Sequence, residues 1–343
     1  MKLEKEDIIK AISQIRDEIG HENIEPEIMD IIFDERRGEL LIITSDRPEK
    51  SLVIGKGGWV VGKLKEKLKI NQIHVEAYLD IYIRKYRMKL AQTRLKEIIA
   101  QQNSSKPLIN LLNLLKRRIE YPYSLDAVLE DLEKIESETS DEHQAVVALS
   151  GGVDSSFSLI IAALMGFNPL AVTVDPGSII LPGYFRESVE KLSQKLSVEH
   201  LYLDVDISSV VEGALEGRYH PCGRCSQVIE ETVTVYTQKK EIPFLIFGDL
   251  LATGAQSMVY WEDVLRINLP AMISATKGET KALAGKYGVH SSGAYGCPLL
   301  AEVKKKYSHM SRYSIQRVLR ETRAGILEPG EALDMIMNLC RKW

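Results

Sequence analysis

An apolar strand that runs into a glycine turn and then into a helix is the strongest constraint on how this chain can fold. Residues 145–149 are all apolar, the turn has the sequence Ser150-Gly-Gly-Val-Asp-Ser-Ser156, and residues 157–164 resume an apolar, helical pattern. A strand without polar residues is buried on both faces, which is typical of a sheet that helices cover on either side. We therefore expect the turn to lie at one end of a buried sheet.

This turn has the chemistry of a phosphate site. Glycines without side chains let backbone N–H groups approach a ligand, and serines add hydroxyl donors. The start of the helix contributes unpaired N–H groups and the positive end of the helix dipole, which stabilise an anion. The predicted phosphate ligands are Ser150, Gly151, Gly152, Asp154, Ser155 and Ser156.

Three further apolar stretches indicate a parallel sheet. These candidate strands lie at residues 170–174, 200–203 and 244–247. Helical patterns separate them, such as the one at residues 185–196, and this alternation predicts an α/β domain with helices on both faces of the sheet. Ligands of such sheets bind at the carboxyl ends of the strands. The residues at the ends of two of these strands are Val174, Asp175, Gly248 and Asp249.

Residues 150–156, placed after a hydrophobic strand, resemble the signature of the PP-loop ATP pyrophosphatase superfamily. Members of that superfamily cleave ATP between its α- and β-phosphates and leave AMP on a substrate oxygen. The resemblance implies a PP-loop domain, also described as adenine nucleotide alpha hydrolase-like, that binds ATP with Mg2+. It also implies that the backbone near Val174 and Asp175 borders the adenine and the ribose.

The chain departs from that superfamily after the strand at residues 244–247. Many members have a Gly-His there, followed by paired aspartates that help to hold phosphates and metal. Here Gly248 is followed by Asp249, and Ala252-Thr253 stands in place of the aspartate pair. Asp154 and Asp249 are therefore the candidate catalytic carboxylates, with capping of the next helix as the alternative role of Asp249.

Charge is distributed unevenly along the chain. From residue 50 to residue 118 there are 16 Lys or Arg against 4 Asp or Glu, a net charge of +12, whereas the whole chain carries -4. A basic block inside an acidic protein suggests a polyanionic partner, and a solvated helix face is the alternative explanation.

The first 80 residues carry a second recognisable pattern. Their predicted order is helix, strand, strand, helix, glycine loop, helix and strand, with the first helix at residues 7–19. That order, together with Gly55-Lys-Gly-Gly58, resembles a type II KH domain and its G-x-x-G loop, which implies an α+β domain that binds single-stranded RNA. The implied RNA-binding residues are Gly55, Lys56, Gly57, Gly58 and Lys63. A glycine turn without any RNA contact remains the alternative.

We expect four segments in the chain. They are the KH-like domain at residues 1–80, a basic helical connector at 81–140, the PP-loop domain at 141–305 and C-terminal helices at 306–343. Helical patterns in the connector lie at residues 81–99, 108–119 and 125–136, and polar residues 139–142 mark the predicted boundary before the nucleotide domain.

The four cysteines are too few for a secreted disulfide scaffold and point to metal or redox chemistry. Cys222 and Cys225 open one helical pattern and Cys297 opens another, and helix starts favour thiolate over thiol. Three thiolates can bind three irons of a [4Fe-4S] cluster and leave the fourth iron open. Zinc completed by His220 or Cys340, or a thiol relay that carries a persulfide, are the alternatives.

The PP-loop and these cysteines together are similar to the cluster-dependent tRNA thiolation enzymes. Those enzymes combine Ser-Gly-Gly-x-Asp-Ser with Cys-x-x-Cys and a later cysteine, although an N-terminal KH-like domain is not their usual arrangement. The resemblance implies a tRNA sulfurtransferase in which Cys222, Cys225 and Cys297 are catalytic and hold the cluster. In the implied reaction, a base carbonyl oxygen is adenylated and then replaced by sulfur held on the [4Fe-4S] cluster, and the sequence leaves open whether sulfide or a carrier protein donates that sulfur.

Other functions remain open at this stage. A PP-loop enzyme that makes a lysine-modified cytidine or amidates RNA, with structural zinc, would also use ATP, and a non-catalytic RNA-binding protein would not. The sequence leaves open whether the chain forms a homodimer. No apolar run approaches the roughly 18 residues that a membrane span needs, and the first residues lack the apolar core of a signal peptide, so we expect a cytoplasmic protein without a membrane partner.

Overall fold

A computed structural model of the chain describes residues 4–22, 24–101, 105–130, 143–290 and 296–340. The chain divides into two compact units, Met1–Tyr86 (unit 1) and Arg87–Trp343 (unit 2). This division into two units does not test the four segments predicted from the sequence. The boundary expected at residues 139–142 lies outside the described residues.

Unit 1 has the predicted order of elements. Its elements are α1 (Lys5–Glu18), β1 (Ile28–Asp34), β2 (Glu39–Thr44), α2 (Arg47–Ile54), α3 (Trp59–Leu68), β3 (Gln72–Ala77) and the start of α4 (Tyr78–Gln101). Strand β2 is central, antiparallel to β1 and parallel to β3. The core forms where apolar faces of α1, α2 and α3 pack on the sheet, with Ile8, Ile12, Leu40, Ile42 and Leu64 among its buried members.

Part of the basic block is not available to a polyanion. Lys50 and Arg84 are buried, and both pair with Glu76 on β3. Burial raises the pKa of Glu76, but the cations of Arg84 and Lys50 outweigh burial and hold it below its usual value. These two cations hold α2, β3 and α4 together, so they fill a structural role in unit 1.

Unit 2 is built on one six-stranded sheet of order β6-β5-β4-β7-β9-β8. Its strands are β4 (Gln144–Ala148), β5 (Asn168–Asp175), β6 (Glu199–Asp204), β7 (Phe244–Phe247), β8 (Met258–Trp261) and β9 (Val264–Asn268). All neighbouring strands are parallel except β8, which is antiparallel to β9. The α/β class and the parallel sheet predicted from the sequence are thus confirmed.

Helices cover this sheet on both faces. Those that precede or follow β4 and β5 are α5 (Lys106–Glu120), α6 (Leu125–Glu130), α7 (Val153–Leu164) and α8 (Gly183–Leu196). Those that follow β6 are α9 (Ser208–Leu215) and α10 (Pro221–Lys239), and those that follow β9 are α11 (Leu269–Met272), α12 (Lys277–Lys286), α13 (Pro298–Lys306), α14 (Ser311–Arg323) and α15 (Pro329–Cys340). Residues 131–136 of the third predicted connector helix lie outside the described residues.

Helix α5 packs into the core of unit 2. Its side chains Leu108, Leu111, Leu114 and Leu115 are fully buried in the cluster that contains the sheet residues Val147 and Ile246. Arg118, at the basic end of this helix, is also fully buried and pairs with Glu279 on α12. The basic end of α5 therefore supports α12 in unit 2 and does not face a polyanion through Arg118.

Among the described helices, none combines the length and the apolar composition that crossing a bilayer requires.

Candidate nucleotide and thiol sites

The glycine turn lies at the carboxyl end of β4, next to the point where the chain order of the sheet reverses. From β4 the chain proceeds outward through β5 and β6 and then returns to place β7 on the other side of β4. Such a switch point opens a crevice at the carboxyl ends of the strands, where ligands of open parallel sheets bind. The turn and the first turn of α7 border this crevice.

Two glycines allow the close approaches that shape the turn. Gly151 has a φ of 76°, and a Cβ there would lie 2.5 Å from the backbone oxygen of Phe185. A Cβ on Gly248, just after β7, would lie 2.8 Å from backbone atoms of Asp154 and Ser155. Side chains at these two positions would push apart the segments that enclose the turn.

The serines of the turn have different roles. Ser155 Oγ accepts a hydrogen bond from the Ser150 N–H at 3.1 Å and lies 3.0 Å from the carbonyl of Gly152, to which it donates. Its single proton therefore holds the turn together. Ser156 is only 1 % exposed, and its hydroxyl is among the described buried polar atoms that have no hydrogen-bond partner. An unpartnered buried hydroxyl costs free energy, and a phosphate oxygen would satisfy it.

Asp154 is held by two groups that the sequence analysis did not identify. Lys277 Nζ lies 2.5 Å from one carboxylate oxygen, and Thr280 Oγ1 donates to the other at 2.9 Å. Both come from α12, whose first turn is fixed by a capping box between Thr276 and Glu279. The sequence Thr276-Lys-Gly-Glu279 is a local signal for that helix start, but nothing local connects it with Asp154.

The carboxylate of Asp249 contacts the backbone that follows β7. Its Oδ1 accepts the N–H of Leu251 at 2.9 Å, so the carboxylate stabilises the turn that follows β7. This contact resembles the capping role that was the alternative for Asp249, but the carboxylate caps a turn and not a helix.

Asp175 ends β5, as predicted, and its carboxylate is occupied. Arg186 on α8 donates to it at 2.6 Å, and the N–H of Gly177 does so at 3.0 Å. Burial acts to raise the pKa of Asp175, but the hydrogen bond from Arg186 keeps it below its usual value. Val174 beside it is buried. Any contact of these residues with adenine or ribose stays a prediction.

Hydrogen bonds of Thr173 on β5 connect it with Leu149, just after β4, and with His200 at the start of β6. Thr173 Oγ1 lies 2.7 Å from the carbonyl of Leu149 and 2.9 Å from His200 Nε2. Burial lowers the pKa of His200, which favours the neutral ring. Because the threonine proton goes to the carbonyl, His200 Nε2 carries the hydrogen that Thr173 accepts.

The three cysteines at the two predicted helix starts are neighbours. Cys222 lies in the first turn of α10 and Cys297 is the residue before α13, as the sequence analysis expected. Cys297 raises the pKa of Cys222 and Cys225 through its negative charge, and Cys222 does the same to Cys225. Such effects require short separations between the three sulfur atoms.

Cys222 and Cys225 do not have the lowered pKa values that helix starts would give. Burial is the largest influence and raises the pKa of Cys222, and burial together with the two neighbouring thiols raises that of Cys225 to about 11. For these two thiols, burial and the neighbouring thiols therefore act against the thiolate that the helix starts were expected to favour. A bound cation would relieve both.

The donor set fits a metal cluster in chemistry but is not a finished metal site. Three half-buried thiols whose charges interact are suitable ligands for iron. Within residues 4–22, 24–101, 105–130, 143–290 and 296–340, however, no group of three or more His, Cys, Asp or Glu side chains is arranged to hold a metal ion. Cys340, which the sequence analysis left as a further zinc candidate, is exposed near the end of α15.

One short stretch of chain contacts both sites. We call residues 177–185 the bridging segment; it connects β5 to α8. Its Phe185 backbone closes on Gly151 of the nucleotide turn, and its Ile179 carbonyl accepts the N–H of Leu299 at 3.0 Å. Ile179 and Cys297 also pack into the same small apolar cluster. The glycine turn and the helix start that follows Cys297 therefore both contact this segment.

The predicted RNA-binding residues lie together in unit 1. Gly55, Gly57 and Gly58 all have positive φ, at 71°, 63° and 77°, and Lys56 lies among them. Lys63 is on the exposed side of α3, where it pairs with Glu66.

Three comparisons relate the chain to known proteins. No family model matches it. It is 36% identical over 196 residues to Uncharacterized protein MJ1638 of Methanocaldococcus jannaschii, a match that spans 57% of this chain and 74% of that protein. It is 26% identical over 170 residues to Uncharacterized protein MJ1599 of the same organism, which spans 47% of this chain and 57% of that protein.

Two further similarities are more distant. The chain is 24% identical over 245 residues to tRNA-specific 2-thiouridylase MnmA of Paracoccus denitrificans, and the match covers 57% of this chain and 58% of that protein. The chain thus spans little more than half the length of MnmA and of MJ1599. A solved structure, U34-tRNA thiolase NcsA from Methanococcus maripaludis with its [4Fe-4S] cluster, aligns with a TM-score of 0.34 at 14% identity over 62% of this chain and 75% of that chain. At this TM-score the two structures are only weakly similar.

Proposed function

We propose that this chain, which belongs to the same family as Uncharacterized protein MJ1638 of Methanocaldococcus jannaschii, is an ATP-dependent tRNA sulfurtransferase. One observation carries the proposal: the bridging segment contacts both a glycine turn with an unsatisfied buried hydroxyl and the helix start that follows Cys297, one of three thiols whose charges interact. The distant relative named tRNA-specific 2-thiouridylase supports the same reaction class.

The first half of the reaction makes an oxygen easy to expel. The carbonyl oxygen of a tRNA base attacks the α-phosphorus of ATP; a new O–P bond forms and the bond to the bridging oxygen breaks, which releases pyrophosphate. The turn binds the phosphates through the Gly151 and Gly152 N–H groups and the Ser156 hydroxyl, while Ser155 keeps the turn in shape. Ser150 and the buried strand β4 fix its position at the sheet edge.

The second half replaces that oxygen with sulfur. Hydrosulfide, supplied as sulfide itself or released from a carrier protein when water hydrolyses the carrier's thiocarboxylate, forms a C–S bond with the base; the C–O bond breaks, and AMP leaves with the oxygen. The sulfur keeps its oxidation state, and its proton passes to a phosphate product. Cys222, Cys225 and Cys297 are the residues that would hold a [4Fe-4S] cluster. When bound, such a cluster supplies one iron that lacks a protein ligand and is open to a further ligand.

The described side chains offer little to a magnesium ion. Asp154 is engaged by Lys277 and Thr280, and Asp249 accepts the N–H of Leu251, so both predicted carboxylates already have hydrogen-bond partners. We therefore assign no step to Mg2+ and propose that Lys277 offsets negative charge near the phosphates. Asp154 positions that lysine at the start of α7.

The proposed RNA contacts lie in unit 1. The glycine loop at residues 55–58, with Lys56 inside it and Lys63 one turn into α3, would bind the backbone of single-stranded RNA in the manner that the KH resemblance implies. Binding of this kind is mostly electrostatic and weakens with salt.

A tRNA-dependent ATP assay tests the proposed reaction. The purified full chain is incubated anaerobically with α-labelled ATP, sulfide and tRNA from a strain that lacks the gene, and AMP is measured together with thiolated nucleosides by mass spectrometry. We expect AMP and one thiolated base to form in equal amounts. Formation of AMP with a base that carries lysine or an added amine, or no AMP at all, would contradict the proposal.

Iron analysis tests the role of the thiols. We expect the anaerobic wild type to bind about four irons and four acid-labile sulfides per chain, and Cys222→Ala, Cys225→Ala and Cys297→Ala each to lose most of them. Cys340→Ala is the matched control and should keep the iron, because Cys340 is exposed and lies outside the thiol group. A fully active wild type that holds only zinc would rule out the cluster.

A further inference from the structure

Trp59 is an aromatic side chain that unit 1 leaves in water. It is the first residue of α3 and is 62% exposed, whereas Val60 and Leu64 on the same helix are fully buried. Within residues 56–69, all of which the structure describes, it is the one large apolar side chain among the exposed ones. Leaving an indole in water forgoes the free energy of burying it, so the position is unexplained by the fold.

The indole lies beside an open stretch of main chain. A Cβ built on Gly57 would meet only Trp59 Cδ1, at 3.8 Å, and one on Gly58 would meet only Val61 Cγ1, at 4.0 Å. Apart from the residues adjacent in the chain, Trp59 and Val61 are the described side chains that come within 4 Å of these two built positions, so the ring borders the glycine loop. A planar ligand that follows the loop would meet the face or the edge of this ring.

The surroundings of Trp59 are basic. Residues 56–69 contain five lysines and one glutamate, a net charge of +4. Lysines of this set are Lys56, Lys63, Lys65, Lys67 and Lys69. A protein partner would need a wider apolar surface than one indole provides. A lone aromatic ring among cations is instead suited to a polyanion that carries flat rings, because the ring can stack and the cations can contact the phosphates.

We infer that Trp59 stacks on an unpaired base of RNA whose backbone lies along residues 55–58. The inference rests on the proposed RNA-binding role of this loop and adds to it a base contact that the glycines and Lys56 cannot make. Stacking uses the flat face that every base has, so this contact favours single-stranded over paired RNA more than it selects one base.

Fluorescence titration of the full chain tests the inference. The RNA is a short single-stranded oligouridine, with a blunt RNA duplex of equal length as the comparison. We expect the single strand to quench part of the tryptophan emission, and the quenching to vanish in Trp59→Ala. Trp261→Phe is the matched control, because Trp261 is 48% exposed on β8 in unit 2 and lies outside the proposed surface.

Affinity and salt dependence separate stacking from charge. Trp59→Ala should weaken binding by roughly 5- to 150-fold without changing the slope of affinity against salt, whereas Trp59→Phe should keep most of the affinity. Lys56→Ala should reduce that slope by about 0.7, the value of one phosphate contact on a single strand.

Three results would overturn the inference. If the full chain binds the single strand and Trp59→Ala binds it equally well, the indole does not stack, while the proposed RNA-binding role stands. If Trp59→Ala instead converts a dimer to a monomer in sedimentation, the ring is a contact between copies of the chain. A wild type that binds no RNA at all defeats the proposed role of the loop itself, and the inference with it.

Discussion

At the scale of single residues, the glycine turn depends on two positions, 151 and 248, that have no side chain. The carboxyl end of β7 can approach the start of α7 because residue 248 has no side chain, and the turn can approach α8 because residue 151 has none. The chemistry of the site therefore relies on close backbone contacts as much as on functional groups.

Gly248→Ala tests one of these contacts. A Cβ at 2.8 Å from the backbone of Asp154 and Ser155 forces the segments apart, and we expect a loss of about 1–3 kcal/mol in unfolding free energy together with loss of ATP binding. Gly183→Ala at the start of α8, where a Cβ meets nothing within 4 Å, is the control and should change stability by less than about 0.5 kcal/mol. Thermal unfolding with and without ATP measures both; unchanged ATP binding in Gly248→Ala would contradict the close contact.

Lys277→Met tests the cation next to the turn. The variant leaves Asp154 without its ionic partner and removes positive charge near the proposed phosphate position. We expect pyrophosphate release to fall about 100-fold and Lys277→Arg to restore part of it. Lys281→Met lies one turn further along α12, where the lysine pairs with Glu331, and should retain the wild-type rate. Equal rates in both methionine variants would exclude a role for Lys277.

The sequence could identify the turn and the cysteines but not the partners of Asp154. The motif at residues 150–156 is local, and its function follows from adjacent residues. Lys277 lies 123 residues further along the chain from Asp154, and its approach depends on how α12 packs on α7. The same limit applies to Arg118, which belongs to a basic cluster in sequence and is fully buried against Glu279 in the fold.

At the scale of elements, strands and helices with strong apolar patterns were predicted well. The strands expected at residues 170–174, 200–203 and 244–247 correspond to β5, β6 and β7. The hairpin of β8 and β9 was not predicted. Its turn lacks glycine, and Glu262 adopts a φ of 52° that side chains seldom take, so the usual turn signal is missing.

A buried ion cluster joins three elements of unit 1 and makes its stability depend on pH. The pKa of Glu76 is below its usual value in the folded chain, so the stabilisation is complete above about pH 4.5 and is lost as the pH falls through the lowered pKa. We expect the unfolding free energy to decline below that pH in the wild type and to decline less in Glu76→Gln.

The same variant should be less stable at neutral pH. Glu76→Gln removes the buried carboxylate that both Lys50 and Arg84 contact, which costs about 3 kcal/mol. Glu66→Gln is the control, since Glu66 forms an exposed pair with Lys63 that contributes little. Chemical denaturation across a pH series gives both quantities, and identical pH profiles for wild type and Glu76→Gln would show that the cluster is not the cause.

At the scale of the whole molecule, the chain has separate cores in its two units. The core of unit 1 is formed by residues such as Ile8, Ile42 and Leu64, while the largest core of unit 2 combines α5, α7 and the sheet. Separate cores allow the two units to unfold in separate transitions, of which only one should respond to a nucleotide.

Ile42→Ala tests this independence. The truncation of a fully buried side chain should cost unit 1 about 2–5 kcal/mol, and it should lower a calorimetric transition that ATP does not shift. Ile246→Ala on β7 is the counterpart in unit 2 and should lower the transition that ATP raises. A single transition that both substitutions lower equally would show that the units unfold together.

In the proposed reaction, the bridging segment would connect the two chemical steps. The same nine residues contact the glycine turn through the backbone of Phe185 and the first turn of α13, next to Cys297, through the carbonyl of Ile179. A nucleotide that shifted the turn around Gly151 would therefore also act on the segment that contacts the start of α13. Under that proposal, sulfur delivery would depend on activation, and the reactive sulfur would be protected from water and from a base that has not been adenylated.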